Sequence, residues 1–224
     1  MSNFHTPTGI TMSLKTKKNL LNLAEKYNFY IVEDDSSSDL YYKSIPPISL
    51  KSLDKNDRVI YIKSFSKIFM PGFRLGFCIV PDSILSNFLN LKRYENLNSS
   101  TLYQKSFAYL LNSGSIEKHI RKSQKNFKKI QESIIKCLNT IEGVSFYIPD
   151  GGLSLWIKLP NNISSRGVYT LLLKKNIGIV PGYIYSKNHD NYIKLNFARI
   201  EEKDIQTSIK ELKIVIQTLQ YFNI

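Results

Sequence analysis

The 224-residue sequence contains few of the residues that would place it outside the ordinary globular classes. Its two cysteines, Cys78 and Cys137, stand in apolar patterns typical of core residues; they are too few for a disulfide framework and favour a reduced, cytoplasmic protein. Ten glycines and eight prolines exclude collagen-like and linker-like chains. No apolar run is long enough to span a bilayer, and the first residues lack the pattern of a secretory signal. We therefore expect a protein without membrane segments.

Acidic residues are also scarce relative to basic ones. Thirty-one Lys and Arg residues stand against 18 Asp and Glu residues, which gives a net charge of +13. Such a surplus attracts phosphates, carboxylate metabolites or nucleic acid. The basic residues are scattered, however, and a basic surface alone is weak evidence for nucleic-acid binding. Solvated lysines are the favoured interpretation for most of them.

Apolar periodicity predicts an α/β arrangement in the first part of the chain. Ser13 is a predicted N-cap for a helix that runs to about Lys26, and Asn28 closes it. Three short apolar runs then predict strands: 29–32, 59–62 and 75–80. We expect these strands to form part of a sheet in a domain that covers residues 1–85.

The periodicity of the apolar residues changes after Pro81. Helical periodicity predicts helices over several ranges: 84–97, 102–111, 115–140, 166–175 and 202–222. Alternating patterns predict strands between the later helices: 144–148, 153–157, 177–180 and 192–197. The sequence therefore predicts a second, smaller α+β domain over residues 86–224.

The sharpest motif runs from Ser64 to Gly76, between two predicted strands. Small hydroxyl residues and an arginine at a strand end suit a phosphate group, which a guanidinium binds with two parallel hydrogen bonds. A lysine held partly out of water beside such a site can lose its proton and form a Schiff base. Ser64, Ser66, Lys67 and Arg74 are therefore candidate site residues. The alternatives are a surface lysine, simple turn serines and an arginine in a structural ion pair.

Three carboxylates, Glu33, Asp34 and Asp35, follow the first predicted strand. In open α/β sheets, ligands bind beyond the carboxyl ends of the strands. Asp34 is a candidate partner for a protonated heterocyclic nitrogen, and the alternative is that it caps the following turn. A Schiff-base lysine, a phosphate anchor and a pyridinium partner are the three features that pyridoxal phosphate requires.

With these motifs, the sequence resembles the class I/II aminotransferases of the fold-type I pyridoxal-phosphate group. Within that group it is most similar to the aminotransferase-like domain of GntR/MocR-type regulators. The block Ser-x-Ser-Lys followed by Pro-Gly-x-Arg-x-Gly is highly specific. The segments that carry the resemblance are Pro7-Thr8-Gly9, Glu33-Asp34-Asp35, the block from Ser64 to Gly76, Pro149-Asp150-Gly151-Gly152 with Trp156, Pro181-Gly182 and Lys194-Leu195-Asn196-Phe197.

The resemblance implies a role for each candidate residue. Lys67 forms the Schiff base with pyridoxal 5'-phosphate and moves the substrate proton. Asp34 keeps the pyridine nitrogen protonated. Ser64, Ser66 and Arg74 hold the phosphate.

The resemblance also implies an architecture and partners. The fold is expected to be α/β: the C-terminal half of a fold-type I large domain, with a mixed, mostly parallel sheet, followed by a smaller α+β domain. The chain starts where the family's large domain is about half finished. A homodimer is expected, with an amino acid and a 2-oxo acid as substrates, and DNA binding is expected only through a separate or missing N-terminal domain.

Several positions depart from the family pattern. His5 and Thr6 occupy the places where Gln-Asn commonly precedes Pro-Thr-Gly. Ser36 and Ser37 stand where the family has a tyrosine after the key aspartate. Lys194 replaces the arginine that clamps the substrate α-carboxylate, which keeps the charge but loses the two-pronged geometry. Lys194 is nevertheless the candidate substrate-binding residue.

Three functional hypotheses follow. The first is a pyridoxal-phosphate-dependent aminotransferase that moves an amino group between an amino acid and a 2-oxo acid through Lys67. The second is a cofactor- or effector-sensing domain of a GntR/MocR-type transcription regulator with little turnover. The third is an inactive, truncated fragment. The histidines, His5, His119 and His189, are too dispersed to predict a metal centre.

Overall fold

The computed structural model describes residues 1–95 and 99–222, apart from the side chain of Phe222. They divide into two compact units. The first unit contains residues 1–5 and 10–124, and the second contains residues 6–9 and the chain from Lys125 onward. Among the helices in the described ranges, none is both long enough and apolar enough to cross a membrane.

The first helix of the first unit, α1, spans Leu14–Lys26, as the sequence predicts. The Ser13 hydroxyl accepts a hydrogen bond from the Thr16 backbone N–H at 3.1 Å and so caps the first turn. Asn28 adopts a left-handed backbone conformation with φ 54°, which asparagine tolerates better than most residues. The cap at one end and the asparagine at the other fix the length of this helix.

Three strands form the sheet of the first unit, in the order β1, β2, β3. They are β1 (Ile31–Asp34), β2 (Val59–Ser64) and β3 (Gly76–Ile79). β1 pairs with β2 in parallel, and β2 pairs with β3 antiparallel. The sheet is therefore mixed. β1 begins two residues later than the sequence predicts and includes two of the three carboxylates that were expected to follow it, Glu33 and Asp34.

The remaining helices of the first unit follow the sheet. They are α2 (Asp82–Glu95), α3 (Thr101–Asn112) and the first part of α4 (Ser115–Leu138). The predicted extension of α2 to Leu97 lies outside the described residues.

The compact units divide at residue 125, whereas the sequence predicts a domain boundary at residue 86. Aromatic contacts explain why α3 belongs to the first unit. The Phe107 ring lies 4.4 Å from the Phe65 ring and 5.7 Å from the Phe69 ring, and Tyr103 stacks on Phe73 at 4.8 Å. The boundary at residue 86 remains a prediction about domain organisation.

The second unit contains a four-stranded antiparallel sheet in the order β4, β5, β7, β6. Its strands are β4 (Ser145–Phe146), β5 (Ser154–Lys158), β6 (Val180–Pro181) and β7 (Tyr192–Asn196). Alternate residues of the two central strands are buried on one face: Leu155, Ile157, Ile193 and Leu195. These residues alternate along each strand and form one face in the core, while Trp156, between Leu155 and Ile157, is also buried and stacks on Tyr192.

Helices complete this core. They are the rest of α4, α5 (Ser165–Leu173) and α6 (Glu202–Phe222). Each contributes fully buried apolar side chains, such as Ile134, Leu172 and Ile205, to one cluster with the strands. The apolar side chains of α4 from Ile130 onward therefore pack in this core.

The two cysteines differ in environment. Cys137 is half-buried and packs against the core of the second unit, as expected. Cys78 was expected in a core, but it is exposed. The cause is its position on β3, where all four residues are exposed in the first unit.

Candidate functional site

Parallel pairing brings two candidate segments to the same edge of the first unit's sheet. Asp34, the last residue of β1, is opposite Ile62 of β2. Because both strands run in the same direction, the segment from Ser64 to Lys67 leaves β2 at the edge where Asp34 ends β1. The topology therefore places the predicted carboxylate and the predicted lysine side by side.

Lys67 lies in the turn that follows β2. The backbone N–H groups of Ile68 and Phe69 both donate to the Phe65 carbonyl, at 3.2 Å and 2.9 Å, and so hold this turn. The Lys67 Nζ donates to the Ser37 hydroxyl at 2.8 Å. The candidate lysine is therefore oriented by a hydroxyl from the segment after β1.

Asp34 is held as an anion at neutral pH. Its Oδ1 accepts a hydrogen bond from the Ser36 backbone N–H at 3.0 Å. Burial raises the pKa of Asp34, but the Ser36 hydrogen bonds and the positive charge of Lys67 outweigh it and hold the pKa below its ordinary value. An ionised carboxylate at this point is suited to bind a protonated ring nitrogen.

The three predicted phosphate residues lie together. The Ser66 backbone N–H donates to the Ser64 hydroxyl at 3.3 Å, and the Arg74 Nη1 donates to the Ser66 hydroxyl at 3.3 Å. All three side chains line a cavity of about 500 Å³ formed by β2, β3 and α2. Arg74 has a left-handed backbone with φ 51°, which directs the chain from the Pro71–Phe73 turn into β3. Backbone N–H, hydroxyl and guanidinium groups make a donor set that suits a phosphate.

Lys194 lies on β7 in the second unit, opposite both Trp156 and Val180. Its Nζ lies 5.9 Å from the centre of the Tyr185 ring, and Trp156 packs edge-on against that ring. The ammonium is therefore bordered by aromatic surface. Its predicted role toward a substrate carboxylate remains a prediction.

The sequence did not indicate the contact between Ser37 and Lys67, which are 30 residues apart. Nor did it indicate a buried ion-pair cluster next to it, in which Lys63 meets Asp35 and Asp39. The only signal for either was the unusual run of three serines after Asp35.

Comparison with known proteins decides the family. The profile described as "Aminotransferase class I and II" matches residues 1–212. The chain belongs to the class I and II aminotransferase family. As a member of that family, it has the α/β fold with a mixed sheet that the sequence predicts.

Individual relatives include both regulators and aminotransferases. An uncharacterized HTH-type transcriptional regulator, YdfD of Bacillus subtilis (strain 168), is 36% identical over 96% of this chain and 45% of its own length. Aromatic-amino-acid aminotransferase 1 of Thermococcus litoralis is 33% identical over 96% of this chain and 52% of its own. The chain thus spans about half the length of the curated relatives it matches.

A solved aminotransferase has the same fold. The crystal structure of Pyrococcus horikoshii kynurenine aminotransferase, in complex with PMP, superposes with a TM-score of 0.90 at 34% identity. The match covers 96% of this chain and 55% of that one. The expected fold, part of a fold-type I large domain followed by a smaller α+β domain, is confirmed, and pyridoxal phosphate is the cofactor that this fold family implies.

Proposed function

We propose that this chain carries the cofactor-binding and catalytic residues of a pyridoxal-phosphate-dependent aminotransferase-type protein. The observation that carries the proposal is the meeting of an anionic Asp34 and Lys67 at one edge of the sheet. The donor set of Ser64, Ser66 and Arg74 beside them fits the cofactor's phosphate.

Each residue has a separate task in this proposal. The Asp34 carboxylate holds a proton on the ring nitrogen, and Arg74 and the two serines anchor the phosphate. When bound, pyridoxal phosphate supplies an electron sink that stabilises negative charge on the substrate's α-carbon. The Lys67 Nζ would attach the cofactor and would accept the proton from the substrate's α-carbon.

Substrate selection is assigned to the second unit in this proposal. The Lys194 ammonium attracts the α-carboxylate of an amino acid or a 2-oxo acid. Lysine acts as a point charge and lacks the planar fork of arginine, so it orients a carboxylate less strictly. A Lys194→Arg variant is a direct way to ask whether this weaker clamp limits turnover.

Borohydride trapping tests the role of Lys67. Pyridoxal phosphate is added to the purified chain, the mixture is reduced, and the modified peptide is mapped by mass spectrometry. We expect stoichiometric labelling of Lys67, loss of that label in Lys67→Ala, and full labelling of Lys67 in the control Lys118→Ala, which removes an exposed lysine of α4. Equal stoichiometric trapping in Lys67→Ala would contradict the assignment.

A second function is favoured by the regulator relatives. The Bacillus subtilis regulator matches 96% of this chain, and Lys194 provides a weaker substrate clamp than arginine. In this alternative, the chain senses pyridoxal phosphate or an amino acid and turns over little. Dimer formation and DNA binding through another domain remain predictions.

A turnover assay distinguishes the alternatives. The loaded chain is mixed with amino acids, and 2-oxo acid production is measured beside the absorbance of the bound cofactor. Repeated production of 2-oxo acid supports the enzyme, while an absorbance change without turnover supports the sensor. A chain that gains no thermal stability from the cofactor is the inactive fragment of the third hypothesis.

A further inference from the structure

A buried ammonium lies next to the segment that carries Ser37. Lys63, on β2, is 8% exposed. Its Nζ lies 2.7 Å from Asp39 Oδ2 and 3.8 Å from Asp35 Oδ2, and it donates to the Ser38 hydroxyl at 2.9 Å. A buried charge of this kind is stable only when it is paired and hydrogen-bonded.

The hydrogen bonds around Lys63 form a directed chain. The Ser38 hydroxyl accepts from Lys63 and donates to Asp35 Oδ2 at 2.7 Å. The Tyr61 hydroxyl donates to the same carboxylate oxygen at 2.7 Å. Asp35 Oδ1 is buried and receives no hydrogen bond within the described residues, and two lysines offset the charge of Asp35: Lys63, whose Nζ lies 3.8 Å from Oδ2, and Lys17.

Lys63 pairs with the first and last residues of the segment 35–39, Asp35 and Asp39, and this segment is here named the serine loop. The Asp35 backbone N–H donates to the Ile62 carbonyl of β2 at 2.9 Å, and the Leu40 N–H donates to the Ser37 carbonyl at 3.0 Å. Between these anchors, the three buried serines have different partners. Ser36 bonds to Asp34, Ser37 bonds to Lys67, and Ser38 bonds within the Lys63 cluster.

We propose that Lys63 is a positioning residue for Lys67. Its ammonium holds Ser38 and the two carboxylates of the serine loop, and the loop in turn presents the Ser37 hydroxyl to the Lys67 Nζ. The significance for catalysis rests on the function proposed above. The positioning itself is a property of the chain without cofactor.

The consequence is a measurable change in the reactivity of Lys67. A hydrogen bond that lysine donates stabilises its ammonium form and restrains the side chain. Loss of the Ser37 contact therefore releases the Lys67 Nζ from a position held by the serine loop and makes it more accessible to an acylating reagent. Trace acetylation of the cofactor-free chain with acetic anhydride measures this change. The acetylated fraction of Lys67 is divided by that of exposed Lys118 in the same sample.

We expect Ser37→Ala and Lys63→Met each to raise the relative acetylation of Lys67 about fivefold, the factor that corresponds to one ordinary hydrogen bond. The double variant is expected to react no faster than either single variant, because both changes remove the same contact. If the fold-increase in Lys67 acetylation in the double variant equals the product of the two single fold-increases, the proposal is overturned.

Lys17→Met is the matched control. Lys17 is another buried ammonium of the first unit, 2% exposed, and donates to Asn3 Oδ1 and the Ile48 carbonyl; it interacts with Asp35 of the serine loop through charge alone, and its hydrogen bonds go to these two other groups. Its loss is expected to lower stability but to keep the relative acetylation of Lys67 within about twofold of the unchanged chain. A rise equal to that of Lys63→Met would show a general loosening and refute a specific role for Lys63.

Asp39→Asn covers the case in which Lys63→Met does not fold. It removes the 2.7 Å ion pair but leaves Lys63 with Asp35 and Ser38. We expect a smaller rise in Lys67 acetylation than in Ser37→Ala, and an unchanged value would refute the proposal. Because no cofactor is used, failure of pyridoxal phosphate to bind leaves this test intact.

Discussion

The two sheets of the molecule differ in how far their apolar side chains are buried. In the second unit, Ile157 and Ile193 are completely buried. In the first unit, Val32 is 60% exposed, and Phe77 and Ile79 are each 45% exposed. The strand residues of the second unit therefore form a core, while those of the first unit leave much of their apolar surface uncovered.

Buried polar groups show the reverse distribution. Nine of the eleven buried polar or charged side chains in the described ranges belong to the first unit, and the other two, Gln131 and Ser165, belong to the second. Burial of polar groups requires specific partners, while burial of apolar groups requires only good packing. The second unit is therefore held together mainly by packing, whereas the first unit combines aromatic packing with directed polar contacts, some of them at its candidate site.

The largest expected effect comes from truncating a core ring of the second unit. Phe197 is fully buried, so Phe197→Ala is expected to lower the free energy of unfolding by about 3–5 kcal/mol. The same change at half-exposed Phe77 is expected to cost about 1 kcal/mol or less. Trp156, the only tryptophan in the sequence, lies in the second unit, so its fluorescence in urea follows that unit. An equal shift of the Trp156 transition in both variants would contradict the comparison.

The next largest effect on stability is expected at two glycines where an added Cβ would collide with a backbone oxygen. A Cβ at Gly182 would lie 2.6 Å from the Tyr192 carbonyl oxygen, and one at Gly76 would lie 2.5 Å from the Lys63 carbonyl oxygen. Each change to alanine is expected to cost about 1–3 kcal/mol, because backbone has to move. Gly182→Ala is expected to lower the urea midpoint of the Trp156 signal.

Gly76→Ala is expected to act on the site instead. Gly76 is paired with Ser64, so displacing β3 disturbs the phosphate residues. We expect faster hydrogen exchange in the β2 peptide and weaker retention of pyridoxal phosphate, with the Trp156 midpoint unchanged. Undiminished cofactor retention would show that this strand pair does not shape the phosphate site.

The smallest effect is a pH dependence in the first unit. Asp54 accepts hydrogen bonds from the Arg58 and Val59 backbone N–H groups and from Lys51. Burial raises the pKa of Asp54, but these contacts outweigh it and hold the pKa below its ordinary value of 3.8. The resulting stabilisation is complete above about pH 3.8 and is lost as the pH falls through the lower folded value.

Asp54→Asn is therefore expected to destabilise the first unit at pH 7, with a difference that shrinks below pH 3.8. Hydrogen exchange of the β2 peptide at pH 7 and at pH 3 measures this. Glu117→Gln, which breaks an exposed ion pair with Arg121, is the control and is expected to change little. A difference between Asp54→Asn and the unchanged chain that persists undiminished at pH 3 would rule out the carboxylate as its source.

Local signals explain which parts of the fold were predictable. Ser13 and Asn28 mark both ends of α1, and the helix has the predicted bounds. Strand β1 was placed two residues early because Phe29 and Tyr30 extend the apolar run, although each is 38% exposed and precedes the pairing with β2. Cys78 was misplaced because an apolar run does not reveal whether another element covers it.

The candidate site was predictable only in its motif residues. Lys67 and Arg74 lie in one specific sequence block, and Asp34 is brought to them by the parallel pairing of β1 and β2. The contact from Ser37 to Lys67 and the pairing of Lys63 with Asp39 depend on how two distant segments fold together. No local periodicity encodes such contacts, so they could be found only in the structure.

The path of the chain through the two units limits how they can be separated. Residues 6–9 belong to the second unit, although residues on both sides of them belong to the first. A Cβ at Gly9 would lie 2.8 Å from the Pro149 Cβ, so this short segment packs directly on the Pro149 loop. A fragment that begins at Lys125 therefore lacks a segment of its own unit, and covering the Pro149 loop again requires residues 6–9, which a fragment 1–124 carries.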